Sequence, residues 1–305
     1  MVNLSIIIVS FNTKDFLEKC IKSVEKNTKG IKYEIIVVDN GSKDGSQEAI
    51  KKLPTIPNLR LIENRTNLGF ANGNNQGTKV AGGKYVLYLN SDTLILDNTL
   101  SEMVNWMDKN QKVGAASCML KGKDGSLQGT GGYFPTLIRV FSWMTIQDIP
   151  GVDFLIKPFH PFHGKSFFGK GESFYLREKE LDWVTGAFLL ARKEVIDEVG
   201  GWDEEYFMYM EEVDLCYRIK KAGWEVWYLP GWSIIHYGGK SSTSEFPLLA
   251  EYNGVKLFYK KHFPSWQYPI LRFLLKLGAL GRIVLFGILE GKDTASIYAK
   301  AYREV

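Results

Sequence analysis

Leu4-Ser5-Ile6-Ile7-Ile8-Val9-Ser10 and Tyr33-Glu34-Ile35-Ile36-Val37-Val38 are two short, β-branched, nearly unbroken apolar runs separated by the helix-patterned stretch Lys14–Lys26. An apolar run of strand length without alternation marks a strand buried on both faces, as in a parallel sheet covered by helices. Leu59–Glu63 and Tyr85–Asn90 repeat the pattern, with helical stretches between them at Ser46–Leu53, stopped by Pro54, and Ala71–Ala81, stopped by Gly82–Gly83. This alternation predicts an α/β fold with a doubly wound, mainly parallel, Rossmann-like sheet. Ligands of such sheets sit at the carboxyl ends of the strands. Polar clusters fall at those ends: Ser10–Asn12, Asp39–Ser42 and Asn90–Asp92.

Further along, Tyr133–Leu181 is rich in Phe, Pro, Gly and His without a period and reads as a long loop region, a lid or binding loop. A strand-like run (Trp183–Ala191) follows, then helices near Lys193–Val199 and Glu211–Ala222 and strands near Glu225–Leu229 and Ser233–His236. From Tyr268 to Leu289 the chain is strongly apolar apart from Arg272, Lys276 and Arg282. At 100° per residue these charges share about a third of a helix circumference, giving an amphipathic helical tail. Such a helix either anchors at an anionic membrane surface or packs its apolar face on the domain. Three charges disfavour a spanning helix.

The 305 residues carry 38 Lys and Arg against 34 Asp and Glu, a net charge of +4. No concentrated basic stripe accompanies it, so nucleic acid is not an expected partner. Eight Trp and 15 Tyr suit sugar stacking as well as core filling. Cys20, Cys118 and Cys216 form no CxxC pair, which speaks against a structural zinc or a disulfide framework and for a reducing compartment. The N-terminus lacks a basic n-region and a long apolar h-region, so the expected location is cytoplasmic.

Several carboxylates have both a chemical and a structural reading. Asp39 suits a pyrimidine ring N–H, but Asp39-Asn40-Gly41-Ser42 is also good turn chemistry. Asp92, after a wholly apolar strand, suits a divalent cation on a diphosphate, since such an ion needs only one or two protein carboxylates. It is equally a strand-end turn residue. Glu211 and Glu212 favour a helix dipole, yet one carboxylate beside an acceptor hydroxyl suffices as general base. Asp214 and Arg218, four apart, suit a surface pair. His236 ends a strand as a core histidine or a metal ligand.

Ser5–Asn12, Val37–Ser42, Asn67–Ala71, Leu89–Thr93, Thr185–Ala187, Gly200–Glu204 and Glu211–Arg218 occur in this order. The series resembles the family-2 glycosyltransferases of the GT-A fold, particularly their rhamnosyltransferase-like branch, over about residues 3–240. The resemblance implies an inverting, metal-dependent transfer from a nucleotide-diphosphate sugar. The donor would be UDP- or dTDP-linked, the sugar rhamnose, and the acceptor a glycan or polyprenyl-linked precursor of cell-surface polysaccharide, at the inner face of the cell membrane. It places Asp39 on the base, Ser10 and Asn12 near the nucleoside, and Asn67, Gly69 and Asn74 along the donor. Asn90-Ser91-Asp92 becomes the metal motif, with Asp92 and His236 holding Mg²⁺ or Mn²⁺. Trp183, Thr185, Gly186, Trp202, Asp203 and Glu204 face sugar and acceptor, and Glu212 is the base with Glu211 its rival. Two departures stand out: Asn90 replaces the usual first Asp, and Glu212 stands where Asp is usual.

On this reading residues 1–240 form the catalytic domain, with a nucleotide-sugar half (about 1–120) and an acceptor half (about 121–240). Residues 241–305 form the helical, membrane-associating segment. A sugar-nucleotide pyrophosphorylase would want a Gly-rich basic loop early, which Ser5–Asn12 is not. A dehydrogenase would want GxGxxG after the first strand. An inactive carbohydrate-binding scaffold of the same fold would not need the acids at Asp39, Asp92 and Glu212.

Overall fold

The computed structural model describes residues 2–53, 58–147, 152–160, 173–238, 246–289 and 291–305. The expected strands and helices of the first half are present: β1 (Val2–Ser10), α1 (Lys14–Asn27), β2 (Tyr33–Asp39), α2 (Ser46–Lys51), β3 (Leu59–Glu63), α3 (Phe70–Val80) and β4 (Gly83–Leu89). β3, β2, β1 and β4 lie side by side, all parallel. Ile6, Ile7 and Ile8 on β1 and Ile35, Ile36 and Val37 on β2 are fully buried. Successive strand side chains point to opposite faces, so burial of neighbours means both faces are covered. That is why the runs do not alternate.

The chain continues through β5 (Thr93–Leu94), α4 (Thr99–Lys109), β6 (Val113–Lys121), β7 (Gly131–Gly132), β8 (Lys179–Glu180), β9 (Trp183–Val184), β10 (Phe188–Arg192), α7 (Lys193–Glu198), α8 (Glu211–Lys221) and β11 (Glu225–His236), with β7 and β9 pairing as a separate two-stranded sheet. The strand order is β3-β2-β1-β4-β10-β6-β11-β5, with β8 on β11. β10 runs antiparallel between β4 and β6, and the result is the expected mainly parallel GT-A sheet. Two sequence expectations need correcting. The run Trp183–Ala191 is two strands, broken at Thr185-Gly186-Ala187. The two expected final strands are one, β11, whose register on β6 shifts between Leu229 and Ser233. Pro230 has no N–H to give the ladder, which explains the irregularity.

By its contacts the chain divides into Met1–Gly131 with Ser173–Ser241, and Gly132–Glu172 with Ser242–Val305. The second unit holds α5 (Leu137–Phe141), a π-helical turn (Ser142–Ile146), α6 (Val152–Leu155), α9 (Phe246–His262), α10 (Gln267–Leu289) and α11 (Lys292–Glu304). The loop reading of Tyr133–Leu181 is thus corrected where it is described, for its helices are too short to show a period. Residues 148–151 and 161–172 of that stretch, and the expected domain boundary near 240, lie outside the described residues. Within this unit Trp143 meets Phe159 edge-on at 5.4 Å, and Tyr259 Oη donates to the Pro135 carbonyl at 2.6 Å. A side chain at Gly278 would sit 2.5 Å from Met144 Sδ, so the glycine lets α10 approach.

Candidate active site

Register puts Ser10 opposite Asp39, so the ends of β1 and β2 open side by side. Asp39 is only 1% exposed. Its Oδ1 accepts from the Gly41 and Ser42 amides at 3.2 and 2.9 Å and from Gln47 Nε2 at 2.6 Å. The turn reading is therefore real, but it uses one oxygen. Oδ2 is buried with no hydrogen-bond partner among the described residues. A buried carboxylate oxygen left without a donor is costly, and a ligand N–H would repay it.

The neighbouring loops are tied to this corner. Asn12, held at φ 54°, donates its amide to Ser42 Oγ and accepts from the Lys43 amide. Asn40 Nδ2 donates to the Gly69 carbonyl at 3.0 Å and to Asn67 Oδ1 at 3.3 Å. Gly69 has φ 86°, and a Cβ there would lie 2.8 Å from the Phe207 carbonyl, so no other residue fits. Asn74, 1% exposed on α3, keeps both side-chain amide atoms without hydrogen-bond partners among the described residues.

Ser10 and Thr13 share a hydroxyl contact at 2.9 Å, and Thr13 reaches Ser91 at 2.8 Å, linking the β1 end beside Asp39 to Asn90-Ser91-Asp92. Asp92 Oδ1 lies 3.4 Å from His236 Nε2, and Asn90 Nδ2 lies 3.3 Å from the same nitrogen. Gln128 fixes the ring from behind. Its Nε2 donates to the His236 carbonyl at 2.8 Å, which turns its Oε1 towards Nδ1 at 2.7 Å. Nδ1 must then carry the proton. In the neutral ring the Nε2 lone pair then lies beside both the Asp92 carboxylate and the Asn90 amide, an arrangement of donor atoms that suits a divalent cation. Among the described residues no group of three His, Cys, Asp or Glu side chains gathers into a ready-made cage. One carboxylate and one imidazole fit an ion that takes its remaining ligands from a diphosphate and water.

The Asn90 amide donates to the Ala187 carbonyl at 3.0 Å, so Thr185-Gly186-Ala187 abuts the Asp92 motif. A Cβ at Gly186 would press on the Phe70 ring at 3.1 Å. Trp183 is 6% and Trp202 2% exposed. Trp202 packs edge-on against Phe70 and Tyr88, so its ring builds the site floor rather than lying open for a sugar. Glu204 is held by Asn72 and Asn75, and the Trp202 amide donates to Asn75 Oδ1. Asp203 caps the Glu205 amide.

Tyr209 and Met210, at φ 67° and 73°, are consecutive non-glycine residues in the left-handed region just before α8. Strain of this kind persists where the surroundings impose it, commonly at active sites. It delivers Glu211 and Glu212 onto the first turn of α8. Glu211 is buried and Glu212 partly exposed. Burial, and then the adjacent Glu212 charge, push the Glu211 carboxyl well above the usual carboxylate range. Asp214 is fully buried against Arg218 at 2.7 Å, and Arg218 also donates to the Val199 and Gly201 carbonyls. That pair is structural and steadies α8 beneath the glutamates.

The model of glycosyl transferase family 2 matches residues 5–197. The chain belongs to that family. It is 28% identical to the N-acetylglucosaminyl-diphospho-decaprenol L-rhamnosyltransferase of Mycobacterium tuberculosis over 90% of this chain and 89% of that one. It is also 28% identical to the rhamnosyltransferase WbbL of Escherichia coli K12, over 79% of this chain and 86% of the relative. The mannosyltransferase PcManGT of Pyrobaculum calidifontis, solved with GDP-Man and Mn²⁺, shares the fold at a TM-score of 0.59 and 16% identity, over 98% of this chain and 79% of that one.

In this family 2 glycosyltransferase, sequence reasoning missed Gln128, Asn40, Asn72 and Asn75. Amides that act by holding another residue carry no motif signal. The strained Tyr209-Met210 step left none either.

Proposed function

We propose that this glycosyltransferase moves a sugar, rhamnose by its relatives, from a UDP- or dTDP-linked donor to a hydroxyl of a glycan or polyprenyl-diphosphate-linked acceptor in cell-surface polysaccharide synthesis. The transfer is a single displacement that inverts the anomeric carbon. The observation that carries this reading is the Asp92 carboxylate 3.4 Å from Nε2 of His236, at the strand end where a diphosphate would lie. The orphaned Oδ2 of Asp39 supports a pyrimidine, because it would accept the ring N–H shared by uracil and thymine. The name of the mycobacterial relative supports a lipid-diphosphate acceptor.

Asp92 and His236 would hold Mg²⁺ or Mn²⁺, which when bound offsets the charge of the departing diphosphate. Asp39 orients the nucleoside, with Ser10, Asn12, Asn67, Gly69 and Asn74 around the donor. Glu212 takes the acceptor proton. Burial and the Glu212 charge raise the Glu211 carboxyl and favour its neutral form, and this difference in environment separates the two roles. No covalent enzyme intermediate is needed. Thr185, Gly186, Asp203 and Glu204 border the sugar and acceptor, with Trp183 and Trp202 packed behind them.

The test is the melting temperature of the full chain with UDP and dTDP sugars, in Mn²⁺ and in EDTA. Ligand at 100 times its dissociation constant adds about 2.7 kcal/mol of stability. The expected result is a metal-requiring rise with one nucleotide that disappears in Asp92→Ala. A rise that is indifferent to metal and to Asp92 would sink the assignment.

A further inference from the structure

α10 buries one face within its own unit, through Leu271, Leu274, Leu275, Gly278 and Ala279. Its opposite face is apolar too, and open. Ile270, Phe273, Leu277, Leu280, Val284 and Ile288 are 41–79% exposed, and Trp266 just before the helix is 63% exposed. Steps of three and four keep the six helical residues in one straight stripe, about 27 Å long. Exposed large apolar residues in the rest of the described chain are scattered, and single ones are ordinary. A continuous stripe of this length marks an interaction surface.

The charges of the helix do not line that stripe. Arg282 donates to the Trp143 carbonyl at 2.7 Å and Arg272 to the Val305 carbonyl at 2.6 Å, so two of the three fasten the helix inward. The stripe also lacks the polar groups that specify a protein partner at an interface. Residues 246–305 hold nine Lys and Arg against four Asp and Glu, a net +5 where the whole chain is +4, so all the excess positive charge is here. Lys260, Lys292, Lys300 and Arg303 are exposed. Among the described residues no helix is long and apolar enough to cross a membrane.

We propose that this stripe docks on an anionic lipid surface, with α10 lying in the interfacial plane. Apolar side chains entering the headgroup boundary with basic residues around them is the chemistry of such helices. A second copy of the chain would bring two +5 segments together, which favours lipid as the occupant. The benefit to a lipid-linked acceptor rests on the transferase reading; the docking itself does not.

The experiment is cosedimentation of the full chain, without donor or acceptor, with vesicles of equal phosphatidylglycerol and phosphatidylcholine or of phosphatidylcholine alone. The expected result is binding to the anionic vesicles that falls with salt and drops at least about tenfold in Phe273→Ser/Leu280→Ser, whose melting temperature is retained because both side chains are exposed. As a second readout, bromolipid quenches part of the native fluorescence, and Trp266→Phe removes that part. No anionic binding, unchanged binding by the double variant, or lipid-free self-association abolished by it would each overturn the proposal. Because substrates are absent, such a failure leaves the donor-site reading standing.

Discussion

At the residue scale, the tautomer of His236 rests on one amide, and Gln128 is the side chain whose loss should be felt at a distance. Partners that orient a ligating histidine typically matter 10–100-fold in metal affinity. Gln128→Leu should therefore weaken Mn²⁺ binding by about tenfold or more, read by electron paramagnetic resonance on the unloaded protein, while Gln128→Glu, which keeps an acceptor at Nδ1, should retain most of it. The glutamates give a second expectation. Glu212→Gln should lower kcat by about 10²–10⁴-fold, the usual contribution of a general base. Glu211→Gln should leave far more activity and also change stability. The Glu211 carboxyl titrates higher folded than unfolded, so the folded state holds the extra proton and the wild type loses stability as pH rises from the unfolded value towards the folded one. The melting temperature of Glu211→Gln should thus exceed that of the wild type at neutral pH, and the gap should close below about pH 4, where both forms are protonated. The acids at Asp39, Asp92 and Glu212 were legible because each follows a strand or opens a helix. Which oxygen of Asp39 stays unpartnered was not, since that depends on Gln47 reaching back eight residues.

At the scale of elements, α8 is held from below by an asymmetric pair. Asp214 is completely buried and Arg218 partly open, and Arg218 also ties down the Val199–Gly201 turn. Removing the partner of a buried charge costs about 3–5 kcal/mol. Arg218→Ala, which takes the cation away from the buried carboxylate and frees two carbonyls, should be more destabilising in urea than Asp214→Ala, which leaves the partly open cation. The sequence offered the spacing of this pair but not its depth, as four-residue spacing looks the same on a wet face and a dry one. Strands were legible wherever both faces are covered, as in β1 and β2. They were misjudged where the backbone departs from regularity: the break at Thr185-Gly186-Ala187 and the register shift near Pro230 are both tertiary in origin. The short helices around Trp143 escaped because a turn or two of helix leaves no period to read.

At the scale of the whole molecule, charge is unevenly shared: the last sixty residues carry the positive excess, and the rest of the chain is close to neutral. The tail was legible as a helix with charges on one side. The sequence did not reveal that α10 has two apolar faces, one spent on its own unit and one left outside. The three thiols show a different kind of economy. Cys20, Cys118 and Cys216 are all buried and free, and burial drives Cys20 and Cys216 up to about 12 and Cys118 higher still. A thiol that is neither ionised nor reachable does not react. Alkylation of the native protein should then proceed no faster than the fold opens, monitored by mass spectrometry as stepwise mass gain. Cys216 sits inside α8, four residues after Glu212, whereas Cys20 lies in α1. Its labelling becomes a clock for opening of that one helix, and the ratio of the two rates separates local fraying of α8 from collapse of the whole sheet.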